Sequence, residues 1–131
     1  MNFARMASAY RNSEHQAVAE AKDLQLEVQL LLEALLKSLR QLAESLSSGA
    51  DRALRAKQFS SCLIIVHALQ SSLDLEKGGV LADHLAQLYD YVRQQLFFAM
   101  RHKQADALHT AIWCLDEICT AWKQAAYKGD E

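Results

Sequence analysis

The chain has 131 residues, 51% of them hydrophobic, with no proline and only four glycines. That is enough apolar surface for one core and very little to interrupt helices. A formal charge of −2 and a pI near 6.2 come with no basic run dense enough to follow a phosphate backbone, which removes nucleic-acid binding from the expected functions. No apolar stretch approaches membrane-spanning length, and the start MNFARMASAYRNSEHQ lacks a secretory hydrophobic core, so the expectation is a cytoplasmic protein without membrane insertion.

Residues 1 to about 12 show weak periodicity and are expected to form a loose or short-helical N-terminal segment. Ser13 with Gln16 fits a capping box, and Asp23 is a second candidate cap. A leucine-rich helix follows, to about Ser47, with Val28, Leu31, Leu35, Leu39, Leu42 and Leu46 as its buried stripe. Ser47-Ser48-Gly49-Ala50-Asp51 is the first clear break, and Asp51 is placed to cap the next helix. The second helix is expected to run to about Leu73, with Phe59, Cys62, Leu63, Val66, Leu69 and Leu73 on one side. Gly78 and Gly79 mark the next turn, and the third helix runs from near Val80 to about Arg101, with Leu81, Leu85, Leu88 and Val92 at helical spacing.

The last break, His102-Lys103-Gln104, has neither glycine nor proline. It is expected because one helix from Gly79 to Tyr127 is too long for a compact domain of this size. In the fourth helix Leu108, Ile112, Leu115, Cys119 and Trp122 face the core. Long helices with short connections prefer antiparallel neighbours. The expected fold is all-α: a single domain over residues 1–131, with a cap segment at 1–16 and an antiparallel up-down four-helix bundle over 17–127.

The helices carry more apolar surface than a bundle needs. A core-facing stripe covers somewhat over 100°, whereas the third helix is apolar over roughly 200° of arc. Cys62-Leu63-Ile64-Ile65-Val66 points apolar groups nearly all round the second helix, and Trp113 sits nearly opposite the core face of the fourth. Two uses fit: packing against the N-terminal segment or a dimer mate, or a groove for an amphipathic segment of another protein. Phe3, Met6 and Tyr10 form a plausible apolar lid.

Catalytic chemistry finds little support. Gly-rich phosphate loops, HExxH and credible Ser-His-Asp or Cys-His constellations are lacking, so the chain is not expected to be an enzyme or to take a cofactor. Cys62, Cys114 and Cys119 lie inside helical patterns and read as reduced thiols. His102, Asp106 and His109 align on one face only if the fourth helix begins early, and they read as a wet helix start rather than a metal site. His67-Ala68-Leu69-Gln70 resembles a histidine phosphotransfer site faintly, but lacks the basic residue that stabilises a phosphoryl group.

One stretch points further. Leu73 to Leu96, LDLEKGGVLADHLAQLYDYVRQQL, places Leu-Asp shortly before paired glycines and Leu88-Tyr89-Asp90-Tyr91 within the helix that follows. With Ala9-Tyr10 near the start and Ala121-Trp122-Lys123-Gln124 near the end, it resembles the FliS family of flagellin-specific export chaperones. The likeness spans most of the chain. It implies a four-helix bundle that binds the disordered C-terminal segment of flagellin in the cytoplasm. Such a bundle blocks premature polymerisation and keeps flagellin competent for flagellar type III export. It also implies a handover to a component of the export gate, in a protein that is a monomer or weak homodimer. A related bundle serving another flagellar partner is the alternative.

The resemblance assigns Tyr10 to a lid over the binding surface, with Met6 beside it. The expected partner-binding set is completed by Ile65, Leu69, Val80, Tyr89, Tyr91 and Phe98. Departures are visible. Lys22-Asp23-Leu24 stands where the family usually has a Ser-Pro-like start, His84 stands where it often has asparagine, and Trp113 is an unusual outward aromatic. They imply a somewhat diverged member.

Overall fold

The computed structural model describes residues 3–76 and 78–129, with side chains described for 23–76 and 78–125. Four helices follow one another among these residues: α1 (Phe3–Ser48), α2 (Arg52–Ser71), α3 (Gly79–His102) and α4 (Asp106–Gly129). α1 runs without interruption through Ser13, Gln16 and Asp23, where helix starts were expected. The reason is local: the first glycine is Gly49 and there is no proline, so no residue in the stretch removes a hydrogen-bond donor or favours a break.

Each connection is short and specific. Gly49, at φ 69°, ends α1, and the Ala50 N–H reaches back to the Ser45 carbonyl at 2.9 Å, the bond of a Schellman cap. Asp51 takes the N-cap position of α2 with an extended ψ of 140°, but its carboxylate makes no capping bond. Between α2 and α3 the chain turns around Asp74. Its carboxylate accepts the Glu76 N–H at 3.1 Å, and its carbonyl accepts the Gly78 N–H at 2.7 Å. This is why an aspartate stands ahead of the paired glycines. The α3–α4 turn falls where the unmarked break was expected. Lys103 adopts the left-handed conformation at φ 53°, and the Gln104 N–H bonds the Ala99 carbonyl at 3.1 Å.

α1 packs on α2 and α4, and α3 packs on α2 and α4, while the backbones of the diagonal pairs stay apart. That closed ring is the up-down-up-down bundle expected from the sequence. Its core takes Leu32, Leu35, Leu39 and Leu42 from α1, Cys62, Val66 and Leu69 from α2, Leu85, Tyr89, Val92 and Leu96 from α3, and Leu108, Leu115 and Cys119 from α4.

Two stripes are rotated from their expected phase. α1 buries Leu32 fully, with Leu31 only packed against the core. α3 buries Ala82 and Tyr89 where Leu81 and Leu88 were expected to be central. Leu81 is 59% exposed while Leu85 is 5% exposed. An apolar arc wider than the core requires does not locate its own centre, and the small Ala82 and Ala99 carry no weight in a stripe drawn on leucines.

Polar ties fix the helix register across two seams. Lys123 pairs with Glu33 at 2.8 Å, and Arg40 with Asp116 at 3.4 Å, joining α1 to α4. Gln70 donates to the Asp90 carboxylate at 3.0 Å and accepts from the Arg93 guanidinium, joining α2 to α3. These pairs are largely exposed and contribute little energy each, but they select one alignment of the helices.

Candidate binding groove

At the end of the bundle where α2 turns into α3, the helices do not close. An open groove of about 570 Å³ lies there, bounded by Leu24 and Val28 of α1, the Ser72–Asp74 turn with Gly78, and the start of α3. Ile118, Ala121, Trp122 and Ala125 of α4 complete it. The local sequence builds it directly. Ala82, one turn into α3, and Ala121 and Ala125, on the last turns of α4, are too small to fill the space between their helices. The turn places Gly78 against Ala82: a Cβ on Gly78 meets the Ala82 Cβ at 2.5 Å and the Asp74 carbonyl oxygen at 2.6 Å. Glycine is what lets the turn approach the groove floor.

The floor is Leu85 and Tyr89, both buried, and the rim is Leu24 and Leu81, both exposed. Trp122 forms one wall. Its indole N–H donates to the Gln25 carbonyl at 2.9 Å, which anchors the ring and leaves its apolar body along the groove. Burial pushes the Tyr89 phenol up to about 12, so at neutral pH the floor is uncharged. Among the described residues that line the groove, none is arranged as a nucleophile or a general base. Its surface suits apolar side chains of a peptide segment.

Of the expected partner-binding residues, Tyr89 lies in the groove floor and the exposed Val80 directly precedes the rim residue Leu81. Ile65 is half-buried, packed against the core, and Leu69 is fully buried within it. Tyr91 is half-buried elsewhere on α3. Phe98 lies near the opposite end of that helix, its ring 4.3 Å from that of His102. Met6 and Tyr10 lie outside the described side chains. Sequence reading missed Leu24, Leu81 and the α4 wall as groove residues. The available signals were the excess leucines off the α1 stripe and the alanine spacing of Ala121 and Ala125.

The minor chemical readings also resolve. Gln70, standing where a phosphotransfer site needs a cation, bridges Asp90 and Arg93 instead. His109 lies 3.8 Å from Asp106, while the His102 ring lies tilted against that of Phe98. Among the described residues no group of three His, Cys, Asp or Glu side chains is placed to hold a metal ion. No helix among them is long and apolar enough to cross a membrane.

The fold is a four-helix bundle with an open, largely apolar groove at one end. The model of the family described as flagellar protein FliS matches residues 6–129, and the chain belongs to that family. It is 36% identical to the flagellar secretion chaperone FliS of Salmonella typhimurium strain LT2, over 67% of this chain and 76% of that protein. It is 30% identical to the flagellar secretion chaperone FliS of Vibrio cholerae serotype O1, over 74% of this chain and 71% of that protein. No solved structure matches it.

Proposed function

We propose that this protein is a flagellar secretion chaperone that binds the disordered C-terminal segment of flagellin in the cytoplasm. The segment folds into short helices on binding, cannot pair with other flagellin copies, and stays competent for transfer to the export gate. Family membership supports the chaperone reading. The observation that carries it to a mechanism is the open groove, whose walls are almost wholly apolar and whose rim presents Leu24 and Leu81 to solvent. An amphipathic segment buries its apolar face there, and much of the gain is offset by ordering the segment, so a stable complex remains releasable.

Calorimetric titration with the C-terminal segment of the flagellin encoded in the same genome tests this reading. One-to-one binding with a clearly negative heat-capacity change is the expected result. A folded protein that gives no heat with this segment assigns the groove to a different flagellar partner.

A further inference from the structure

The bundle's other end differs from the groove end in charge as well as in shape. Exposed carboxylates crowd the groove end: Asp23 and Glu27 flank Leu24, Asp74 lines the turn, Asp83 follows Ala82, and Glu117 precedes Ile118. At the far end the balance reverses. α2 begins Arg52-Ala53-Leu54-Arg55 and α3 closes Arg101-His102-Lys103. None of these four arginine and lysine side chains forms an ion pair among the described residues, and the Arg55 Nε is buried without a hydrogen-bond partner. α2 has no acidic residue in its first turn, and Asp51 gives it no side-chain cap. The exposed carboxylates of Asp51 and Asp106 adjoin these cations, which outnumber them.

Aromatic side chains sit between these cations. Phe97 of α3 meets Phe59 of α2 edge-on, ring centroids 5.2 Å apart, which places the start of α2 against the end of α3. Arg101 is one helical turn beyond Phe97, and Arg55 and Arg52 lie one and two turns before Phe59. Phe97 is nonetheless 51% exposed and its neighbour Phe98 47% exposed. Phe97, half-exposed on the seam beside these cations, and Phe98, the next residue round α3 and in contact with His102, on a chain of net charge −2, are not explained by core packing or by the groove.

We propose that the α2–α3 seam at this end is a second docking surface, for an acidic amphipathic segment of another protein. The segment sets apolar side chains against Phe97 and Phe98, and its carboxylates meet Arg52, Arg55, Arg101 and Lys103. Charge selects the occupant: the carboxylates at the groove end disfavour the same segment there, so the two surfaces take different partners and are filled at once.

The test uses the full chain and two fluorescein-labelled synthetic helical peptides. One carries leucine and phenylalanine at i, i+3, i+4, i+7 with glutamate elsewhere; its twin has lysine for every glutamate. Fluorescence anisotropy at low salt is expected to show the acidic peptide binding at least about tenfold more tightly than its twin. That preference is expected to shrink as salt rises and to survive saturation with the flagellin C-terminal segment. R101E/K103E is expected to abolish the preference, and Phe97→Ala to weaken the acidic peptide with unchanged helicity.

Equal binding of the twins overturns the proposal, as does displacement of the acidic peptide by the flagellin segment. So does equal or tighter binding of a labelled 20-base DNA strand, which makes the patch a general polyanion site. Self-association that buries Phe97, seen by sedimentation and relieved by Phe97→Ala, overturns it in favour of a second copy. Because the acidic peptide is measured with and without flagellin segment, failure here and failure of the flagellin reading give separate signals.

Discussion

Trp122 and Gln25 are 97 residues apart, yet the indole N–H of the one donates to the backbone carbonyl of the other at 2.9 Å. This bond ties the last turns of α4 to the middle of α1 along the groove wall, close to the Glu33–Lys123 pair. Trp122→Phe keeps an aromatic wall and removes the donor. The expected loss is about 1 kcal/mol, the usual net value of one intramolecular hydrogen bond. Thermal melting followed by circular dichroism should show a drop of several degrees. An unchanged melting temperature means that α4 is held by its leucines alone.

Leu81 and Leu85 are one helical turn apart and both line the groove, but only Leu85 is buried. Leu85→Asp forces an unpaired carboxylate into the core, and the protein is expected to unfold. Leu81→Asp leaves its carboxylate in water. That variant should melt nearly as the parent does while binding the flagellin segment at least about tenfold more weakly. Circular dichroism and calorimetry on the pair separate fold from function. Normal melting of Leu85→Asp contradicts the phase of α3.

The same two residues show how much was legible in the sequence. Helix number, order and connections could be read because glycines mark two of the three turns and the third followed from length. The core of α4 was legible because Leu108, Leu115 and Cys119 form a narrow stripe with polar neighbours. The core centre of α3 was not, since a binding helix is apolar beyond its core face and periodicity alone does not distinguish the two uses. Tyr89, expected as a partner-binding residue, is 1% exposed and belongs to the core as well as to the groove floor. The groove itself is a space left by small residues. Ala82, Ala121, Ala125 and Gly78 define it, and absence of side-chain volume leaves no hydrophobic signal in a sequence.

Gly78 and Gly79 are adjacent but constrained differently. Gly78 has an ordinary helical φ of −77° and no room for a Cβ, whereas Gly79 has φ +56° and open space around it. Gly78→Ala is expected to cost about 1–3 kcal/mol through overpacking against Ala82 and the Asp74 carbonyl, and to weaken flagellin binding by displacing the groove floor. Gly79→Ala should cost about 1 kcal/mol from backbone strain and leave binding intact. Urea denaturation and the calorimetric titration, run on both variants, measure the contrast. Equal binding losses contradict the steric account.

Lys103 occupies a left-handed position at φ 53° that glycine fills without strain. Lys103→Gly is expected to stabilise the protein by up to about 1 kcal/mol, since relief of strain exceeds the added unfolded-state entropy. The same substitution removes one cation from the far end. Urea midpoints should rise for Lys103→Gly while the slope stays constant, and a lower midpoint contradicts the strained turn.

The three thiols differ by burial and should differ in chemistry. Cys62 is fully buried, and desolvation pushes it up to about 12 from an ordinary 9.0. Cys119 is also raised by burial, whereas Cys114 is partly exposed. A thiol must ionise to react with iodoacetamide, so mass spectrometry after brief labelling of the native protein should find Cys114 modified first and Cys62 last. The shift also makes stability depend on pH in the alkaline range. Above pH 9.0 the unfolded thiol loses its proton while the folded one keeps it, so the unfolded state binds fewer protons and stability falls as pH rises. Tyr89, raised from 10.0 to about 12, acts in the same direction one pH unit later. Stability should therefore be flat near neutral pH and decline between pH 9.0 and about 12. Cys62→Ala should shallow the first part of that decline. An unchanged slope in this variant assigns the alkaline loss to other groups.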